Sequence, residues 1–392
     1  MAWISRPVTG RPYAPGVTRF VHSADWQLGM TRHFLSVDAQ ARFTADRIEA
    51  ITAIGRLAEA EGCSFVVVSG DVFESNQVER PVVVRALEAM KATPAVVFYL
   101  LPGNHDPLDA TSIFRSKTFR DHCPPNVITL EGGAEIPAAD GITIVSAPWP
   151  NKRPLTDLVT AAVASRPADG TLRVVVGHGA VDTLSPNPND PALIRLADVE
   201  AALADGRIHY VALGDRHSTT SVGTTGRVWY AGAPEPTDYR EVDPGHALVV
   251  DLSHESVSVV PHRIGRWEFQ HRQFDLAGRP DCDGVQQFLE AIVDKPRTIV
   301  KLTLVGQLSL ADMAHLEATF RHASDLLGAL ERWERHSELV VLPAENELAD
   351  LGLSGFALVA LEDLKDRANR SDEGAEVARD ALGLLYRLAG SV

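Results

Sequence analysis

Cysteine is scarce in this sequence, and Cys63, Cys123 and Cys282 are widely spaced with no CxxC pair among them. That excludes a disulfide framework or a zinc ribbon and leaves them as small buried hydrophobes. Long apolar runs are missing too: no stretch of eighteen apolar residues occurs, so no membrane-spanning helix is expected. The opening MAWISRPVTGRPYAPG lacks the apolar core of a secretory signal, which predicts a poorly ordered lead-in over 1–16 and a cytoplasmic address. Positive charge is in deficit, with 37 Lys and Arg against 52 Asp and Glu and a formal net charge of −15. A globally basic nucleic-acid binder is thereby excluded. A phosphate substrate is not, because bound divalent cations would dominate the field around them.

What the chain does contain is five short strings in order: HSADWQLG at 22–29, SGDVFE at 69–74, LPGNHD at 101–106, VGH at 176–178 and LGDRH at 213–217. Each follows a hydrophobic run, FV at 20–21, FVVV at 65–68, AVVFYL at 95–100, LRVVV at 172–176 and HYVAL at 209–213, that reads as a buried strand. Ligand-type side chains therefore fall where strands end and loops begin, the place where open α/β sheets bind their ligands. Between these strands, helices are predicted from Asp38 to Ala60 and from Glu79 to Ala92, the second with Pro81 in its first turn.

Two hard divalent ions held close together need a bridging carboxylate within a mixed shell of oxygen and imidazole donors. The strings supply that set. Asp25 and Gln27, two apart on an extended segment, are expected to face one pocket, and Asp71 at a Gly-Asp turn is placed to bridge. Asn104 offers an amide oxygen, while His178, Asp215 and His217 come from two further strand ends. His105 is then free to donate a hydrogen bond or a proton to a departing ester oxygen, with Asp106 orienting its imidazole. Singly, each string has an ordinary explanation in turn chemistry or a buried histidine. Their joint, ordered occurrence carries the reading.

Beyond residue 262, a helix over Val285 to Val293, the strand TIVKLTLVG at 298–306 and a helix capped by Ser309 predict a small α+β domain. Two helices follow Ser354, and Val377, Ala381, Leu384, Leu385 and Leu388 are expected on one face of the second. That face either docks on a partner or packs back on the protein itself.

With these motifs in hand, the chain resembles the calcineurin-like metallophosphoesterases, and among them the SbcD-type DNA repair exonucleases. RFVHSADWQLG, GDVFE, PGNHD, VGH, LGDRH and WYAGAPEPTDYRE carry the likeness over 17–262. The resemblance implies an α/β fold, a layered β-sandwich flanked by helices over 17–262, then a capping domain over 263–345 and a C-terminal helical segment over 346–392. It implies one metal held by Asp25, Gln27, Asp71 and His217, and a second by Asp71, Asn104, His178 and Asp215. His105 would be the transition-state histidine. Manganese is the implied ion, with magnesium as the alternative.

The implied activity is hydrolysis of DNA, 3′ to 5′ and with some single-strand endonuclease action. The implied partners are a second copy of the chain and an SMC-like coiled-coil ATPase of the SbcC type. The chain departs from the family's pattern at two positions. Gln27 stands where the first motif has His, and Asp215 where the last has the first His of Gly-His-x-His, giving a harder, more oxygen-rich shell. A small phosphodiester or phosphomonoester as substrate, and a non-catalytic subunit that binds DNA ends, are the alternative readings. Arg32, His33, Arg115, Lys117, Lys152 and Arg153 are candidate phosphate contacts.

Overall fold

The structure is a computed structural model that describes residues 17–138, 141–341, 355–368, 370 and 374–389. The lead-in expected at 1–16 and the expected junction between capping domain and helical segment at 345/346 lie outside the described residues. The chain divides into two units, one of residues 17–32 with 40–267 and the other of 33–39 with the described residues from 268 onward.

In the first unit the chain alternates β1 (Thr18–Ser23), α1 (Val37–Ala60), β2 (Phe65–Val68), α2 (Arg80–Lys91), β3 (Val97–Leu100), α3 (Lys117–His122) and β4 (Val127–Thr129). It continues with β5 (Ile136–Pro137), β6 (Ile142–Ala147), α4 (Leu158–Ala164), β7 (Leu172–His178), α5 (Leu196–Ala204), β8 (Tyr210–Gly214), β9 (Thr220–Val222) and β10 (Val228–Tyr230). β11 (His246–Leu252) and β12 (Val257–Arg263) then return to the first sheet. Two six-stranded sheets result, in the orders β12-β11-β1-β2-β3-β4 and β5-β6-β7-β8-β10-β9. β1 to β4 run parallel, as do β6, β7, β8 and β10.

Parallel strands covered on both faces read as unbroken apolar runs, which is why FVVV and LRVVVGH are buried at every position. Alternate side chains divide between two cores. Phe20, Phe65, Val67 and Leu248 of the first sheet meet Ile144, Val174, Val176 and Tyr210 of the second. Their neighbours face outward, Val66, Val68 and Phe98 against Ile51 and Ile54 of α1 and Leu87 and Met90 of α2, and Val175 and Val211 against Val159 of α4 and Val199 of α5. The order is helix, sheet, sheet, helix, the α/β layered sandwich expected from the sequence.

His22 joins the two sheets. It is fully buried, its Nδ1 3.1 Å from the Tyr210 hydroxyl and its Nε2 3.2 Å from the Leu213 carbonyl. Because that carbonyl only accepts, Nε2 carries the proton and Nδ1 accepts from the hydroxyl.

The second unit pairs β13 (Glu268–Leu276) and β14 (Thr298–Leu308) in parallel across α6 (Arg279–Ala291), and adds β15 (Ala329–Arg332) and β16 (Glu338–Val341), both parallel to β14, after α7 (Leu310–Leu326). Val300, Leu302 and Leu304 pack on Val285 and Leu289 of α6 and Leu316 and Phe320 of α7. The Ser309 hydroxyl caps α7 by accepting from Asp312 N at 3.1 Å. α6 starts six residues before the predicted Val285, because Pro280 is accommodated in its first turn and Cys282 completes the buried stripe.

α8 (Phe356–Ala368) and α9 (Gly374–Ala389) form a pair built on Leu361, Ala368, Ala378 and Leu382, with Leu310 of α7 joining the cluster. The expected face of α9 needs correction. Ala378, Leu382 and Leu385 are the packed positions, whereas Val377 and Leu384 lie outward at 69% and 51% exposure; the side chain of Leu388 is outside the description. No helix among the described residues is long and apolar enough to cross a membrane.

Burial lowers the pKa of His22 from 6.5 to about 3, the Leu213 carbonyl only partly opposing the shift. The unfolded chain therefore binds a proton below pH 6.5 that the folded chain refuses until about pH 3, so this group's contribution to stability is intact above 6.5 and falls away with acidification. Urea unfolding at pH 7 and pH 5 should show the wild type losing about 2 kcal/mol more than His22→Gln over that interval. Equal losses would remove His22 from the acid response.

Candidate metal centre

Past the end of β1 the chain keeps hydrogen-bonding to the segment after β2: Asp25 N donates to Gly70 O at 3.1 Å, Gln27 N to Asp71 O at 2.8 Å and Leu28 N to Val72 O at 3.0 Å. The extended geometry expected for Asp25 and Gln27 is not what turns them to one side. Both adopt left-handed backbone, with φ of 52° and 44°, while Trp26 between them is buried and its indole donates to the Ser23 hydroxyl at 2.8 Å. Asp71 and Asp215 are also left-handed, at φ of 51° and 99°. A left-handed conformation in a residue other than glycine is strained by about 1–3 kcal/mol and persists only where its surroundings impose it.

Among the described residues, Asp25, Asp71 and His178 bring one donor atom each to within 4.8 Å of one another, and all three are buried. His178 Nδ1 faces the Ser69 carbonyl at 2.9 Å and Nε2 faces Asn104 Oδ1 at 2.6 Å, with Asp71 Oδ1 at 3.5 Å and Asp215 Oδ1 at 3.9 Å. Burial works to lower its pKa, yet Asp71, Asp25 and Asp215 outweigh it and lift the value to about 9. The carboxylates around it thus favour positive charge at this point, the kind of charge a bound cation would supply.

Burial raises Asp25 to about 6, the cationic tendencies of His217 and His178 opposing and Asp71 reinforcing the shift. Burial also raises Asp215, whose backbone N–H donates to both Asp25 oxygens at 3.0 and 3.2 Å. Three close approaches have room only for glycine. A Cβ on Gly70 would lie 2.1 Å from His178 Nδ1, on Gly103 2.2 Å from Asp71 Oδ1, and on Gly214 1.9 Å from Ser69 O.

Gln27 points its amide nitrogen at His217 Nε2, 3.1 Å away, and leaves a buried Oε1 without a hydrogen-bond partner. A buried amide oxygen without a partner, on a side chain that meets His217, is a donor of the kind a hard divalent cation takes along with carboxylates and imidazoles. All seven side chains predicted as metal donors are thus assembled at strand ends, Asp25, Asp71, Asn104, His178 and Asp215 around one space and Gln27 with His217 beside Asp25.

His105 lies next to them, its backbone N–H donating to Asp71 Oδ1 at 2.9 Å. The tautomer expected from Asp106 is set by another group. Asp106 is buried with one oxygen accepting from Gly103 N at 2.8 Å and the other from Phe73 N at 2.9 Å, so it fastens the 101–106 loop to the 69–74 loop. Burial, then Asp71, raises its carboxyl to about 7. His105 Nδ1 instead donates to the Glu74 carbonyl at 2.9 Å. Of the basic candidates, Arg32 donates to Thr237 O at 2.7 Å, and Arg115 and Lys117 pair with Glu131 and Asp121, whereas Lys152 and Arg153 are exposed.

Glu74, Thr237 and Glu241 were not singled out from the sequence, although the strings GDVFE and WYAGAPEPTDYRE contain them. Thr237 Oγ1 and Glu241 Oε1 approach His217 Nδ1 to 2.7 and 2.9 Å. The available signal was a hydroxyl and a carboxylate four residues apart in a loop rich in proline.

The sequence profile of the calcineurin-like phosphoesterases matches residues 18–219. The SbcD component of the SbcCD nuclease from Rhodobacter capsulatus is 25% identical over 281 residues, which cover 60% of this chain and 66%, just under two thirds, of that protein. Among solved structures, purple acid phosphatase PPD1 from yellow lupin seeds matches with a TM-score of 0.39 at 12% identity, over 64% of this chain and 53% of its own. A dimetal phosphatase from Danio rerio matches with a TM-score of 0.38 at 12% identity, over 63% of this chain and 99% of its own.

Gly70→Ala tests how tightly the centre is built. Its positive φ and the collision with His178 should lower stability by about 1–3 kcal/mol in urea unfolding at pH 7. An unchanged midpoint would show that the imidazole yields freely.

Proposed function

The chain belongs to the calcineurin-like phosphoesterase family, and on that footing we propose that it is a metal-dependent nuclease hydrolysing DNA phosphodiesters. The observation that carries the reading is the gathering of one donor atom each from the buried Asp25, Asp71 and His178 to within 4.8 Å of one another. Asp25, Gln27, Asp71 and His217 would hold one divalent cation, and Asp71, Asn104, His178 and Asp215 a second. Manganese or magnesium suits so oxygen-rich a shell. When bound, the pair would make water nucleophilic near neutral pH and neutralise charge gathering on the phosphate.

The chain's own part is positioning and proton transfer. Asp71, whose Oδ1 accepts from His105 N, ties the metal-holding residues to the histidine that meets the substrate. The Glu74 carbonyl occupies His105 Nδ1 and leaves Nε2 for the scissile group. Protonated at Nε2, His105 would donate to the ester oxygen as it departs. Asp106 keeps the loop beneath it in place through Gly103 and Phe73.

Two features favour DNA over a small ester: the 25% identity to a component of a nuclease, and the second unit that follows the sandwich. A coiled-coil ATPase of the SbcC type is the partner this reading implies. Val377 and Leu384 support it, because they stand outward on α9 at 69% and 51% exposure with the seven-residue spacing of a coiled-coil seam.

Purified protein with Mn2+ should degrade 3′-labelled duplex or single-stranded DNA, and His105→Ala should slow that at least about 100-fold. Turnover confined to a chromogenic phosphodiester or a cyclic nucleotide would replace DNA with a small substrate. Metal binding without hydrolysis of any of them would make the protein a non-catalytic binder of DNA ends. In a mixture with a purified SMC-like ATPase, Val377→Glu/Leu384→Glu should abolish co-elution and leave hydrolysis of DNA unchanged. Retained co-elution would move the docking surface elsewhere.

A further inference from the structure

We infer that Glu241, acting with Thr237, is a positioning residue that holds His217 in one tautomer and thereby sets the affinity of the metal position His217 shares with Gln27. The inference rests on the metal assignment proposed above. Its geometry starts at His217 Nδ1, which meets Glu241 Oε1 at 2.9 Å and Thr237 Oγ1 at 2.7 Å. A carboxylate only accepts, so the ring proton resides on Nδ1 and the Nε2 lone pair is turned toward Gln27. The facing Gln27 group is the amide nitrogen, a donor, as that tautomer requires.

Glu241 is itself fixed. Its side chain is 6% exposed, Oε2 accepts from Thr237 N at 2.9 Å, and Oε1 is held closely by the Thr237 hydroxyl. The loop bearing both residues is anchored from below by Arg47, a buried cation that donates to Glu235 O at 3.3 Å and Pro236 O at 3.1 Å. The same guanidinium donates to Trp26 O at 2.9 Å. One side chain therefore fixes both the segment that carries Asp25 and Gln27 and the loop that orients His217. Arg32 adds a bond to Thr237 O at 2.7 Å.

A carboxylate on the far nitrogen increases the basicity of a ligating imidazole, and removing such a partner typically weakens metal binding 10- to 100-fold. The effect counts for more here because Gln27 contributes only a neutral amide.

The test is calorimetric titration of the full chain with Mn2+, with histidine 15N spectra of the metal-free protein alongside. Wild-type protein should bind two ions, and its neutral His217 should carry the proton on Nδ1. Glu241→Gln, which keeps the shape and loses the charge, should weaken one ion by about 10- to 100-fold, leave the other unchanged, and populate both tautomers of His217; Glu241→Asp should recover part of the loss. Two ions bound by Glu241→Gln as in the wild type would overturn the inference. So would a wild-type His217 carrying its proton on Nε2, an outcome that stands even if every variant misfolds. Failure of the wild type to bind Mn2+ would instead remove the metal assignment, and with it this inference, while a wild-type tautomer on Nδ1 would still record the contact with Glu241.

Discussion

Carboxylates buried close together are the constraint to which the rest of this structure answers. Asp25 and Asp71 lie almost wholly out of water, and Asp215 is turned toward the same space. Charge in such surroundings is tolerated only when matched by opposite charge or hydrogen bonds. The strain shows in the proton affinities: burial pushes the Asp25 and Asp215 carboxyls up, and the carboxylates around His178 push its imidazole up against the opposing effect of burial. A divalent cation would answer the same demand more completely.

The sandwich is what makes such a gathering possible. Asp25, Asp71 and Asn104 follow strands of one sheet, while His178, Asp215 and His217 lie at or beyond strand ends of the other. Neither sheet alone would assemble the set. The buried hydrogen bonds of His22 to Tyr210 and Leu213 couple the sheets three residues before Asp25, on the strand that leads to it. Gly70, Gly103 and Gly214 supply the clearance for backbone and side chains to approach where any larger residue would collide.

Most of this architecture was legible in the sequence, because a buried parallel strand and the turn after it leave strong local marks. FVVV followed by SGDVFE is such a case: the run has no polar interruption, and the turn residues stop it cleanly. The helix from Asp38 was equally plain, its apolar residues recurring at helical spacing up to the turn at Gly62. What escaped was decided by tertiary contacts. The left-handed backbone at Asp25 and Gln27 is imposed by hydrogen bonds to the Gly70–Val72 segment, far away in the chain. Asp106 sits beside His105 in sequence but bonds to amides of its own loop and the neighbouring one. Glu241 follows His217 by 24 residues and meets it only because the intervening loop folds back. On α9, apolar residues occur on two faces, and periodicity alone did not reveal which one is covered.

The positive backbone angles at Asp25, Gln27, Asp71 and Asp215 bear on the stability of the chain. Glycine would relieve the strain at each of them, since it adopts positive φ without a clash at Cβ. Four larger residues held in an unfavourable conformation, all within one pocket, make the fold less sturdy than glycine there would, in return for side chains that glycine cannot offer.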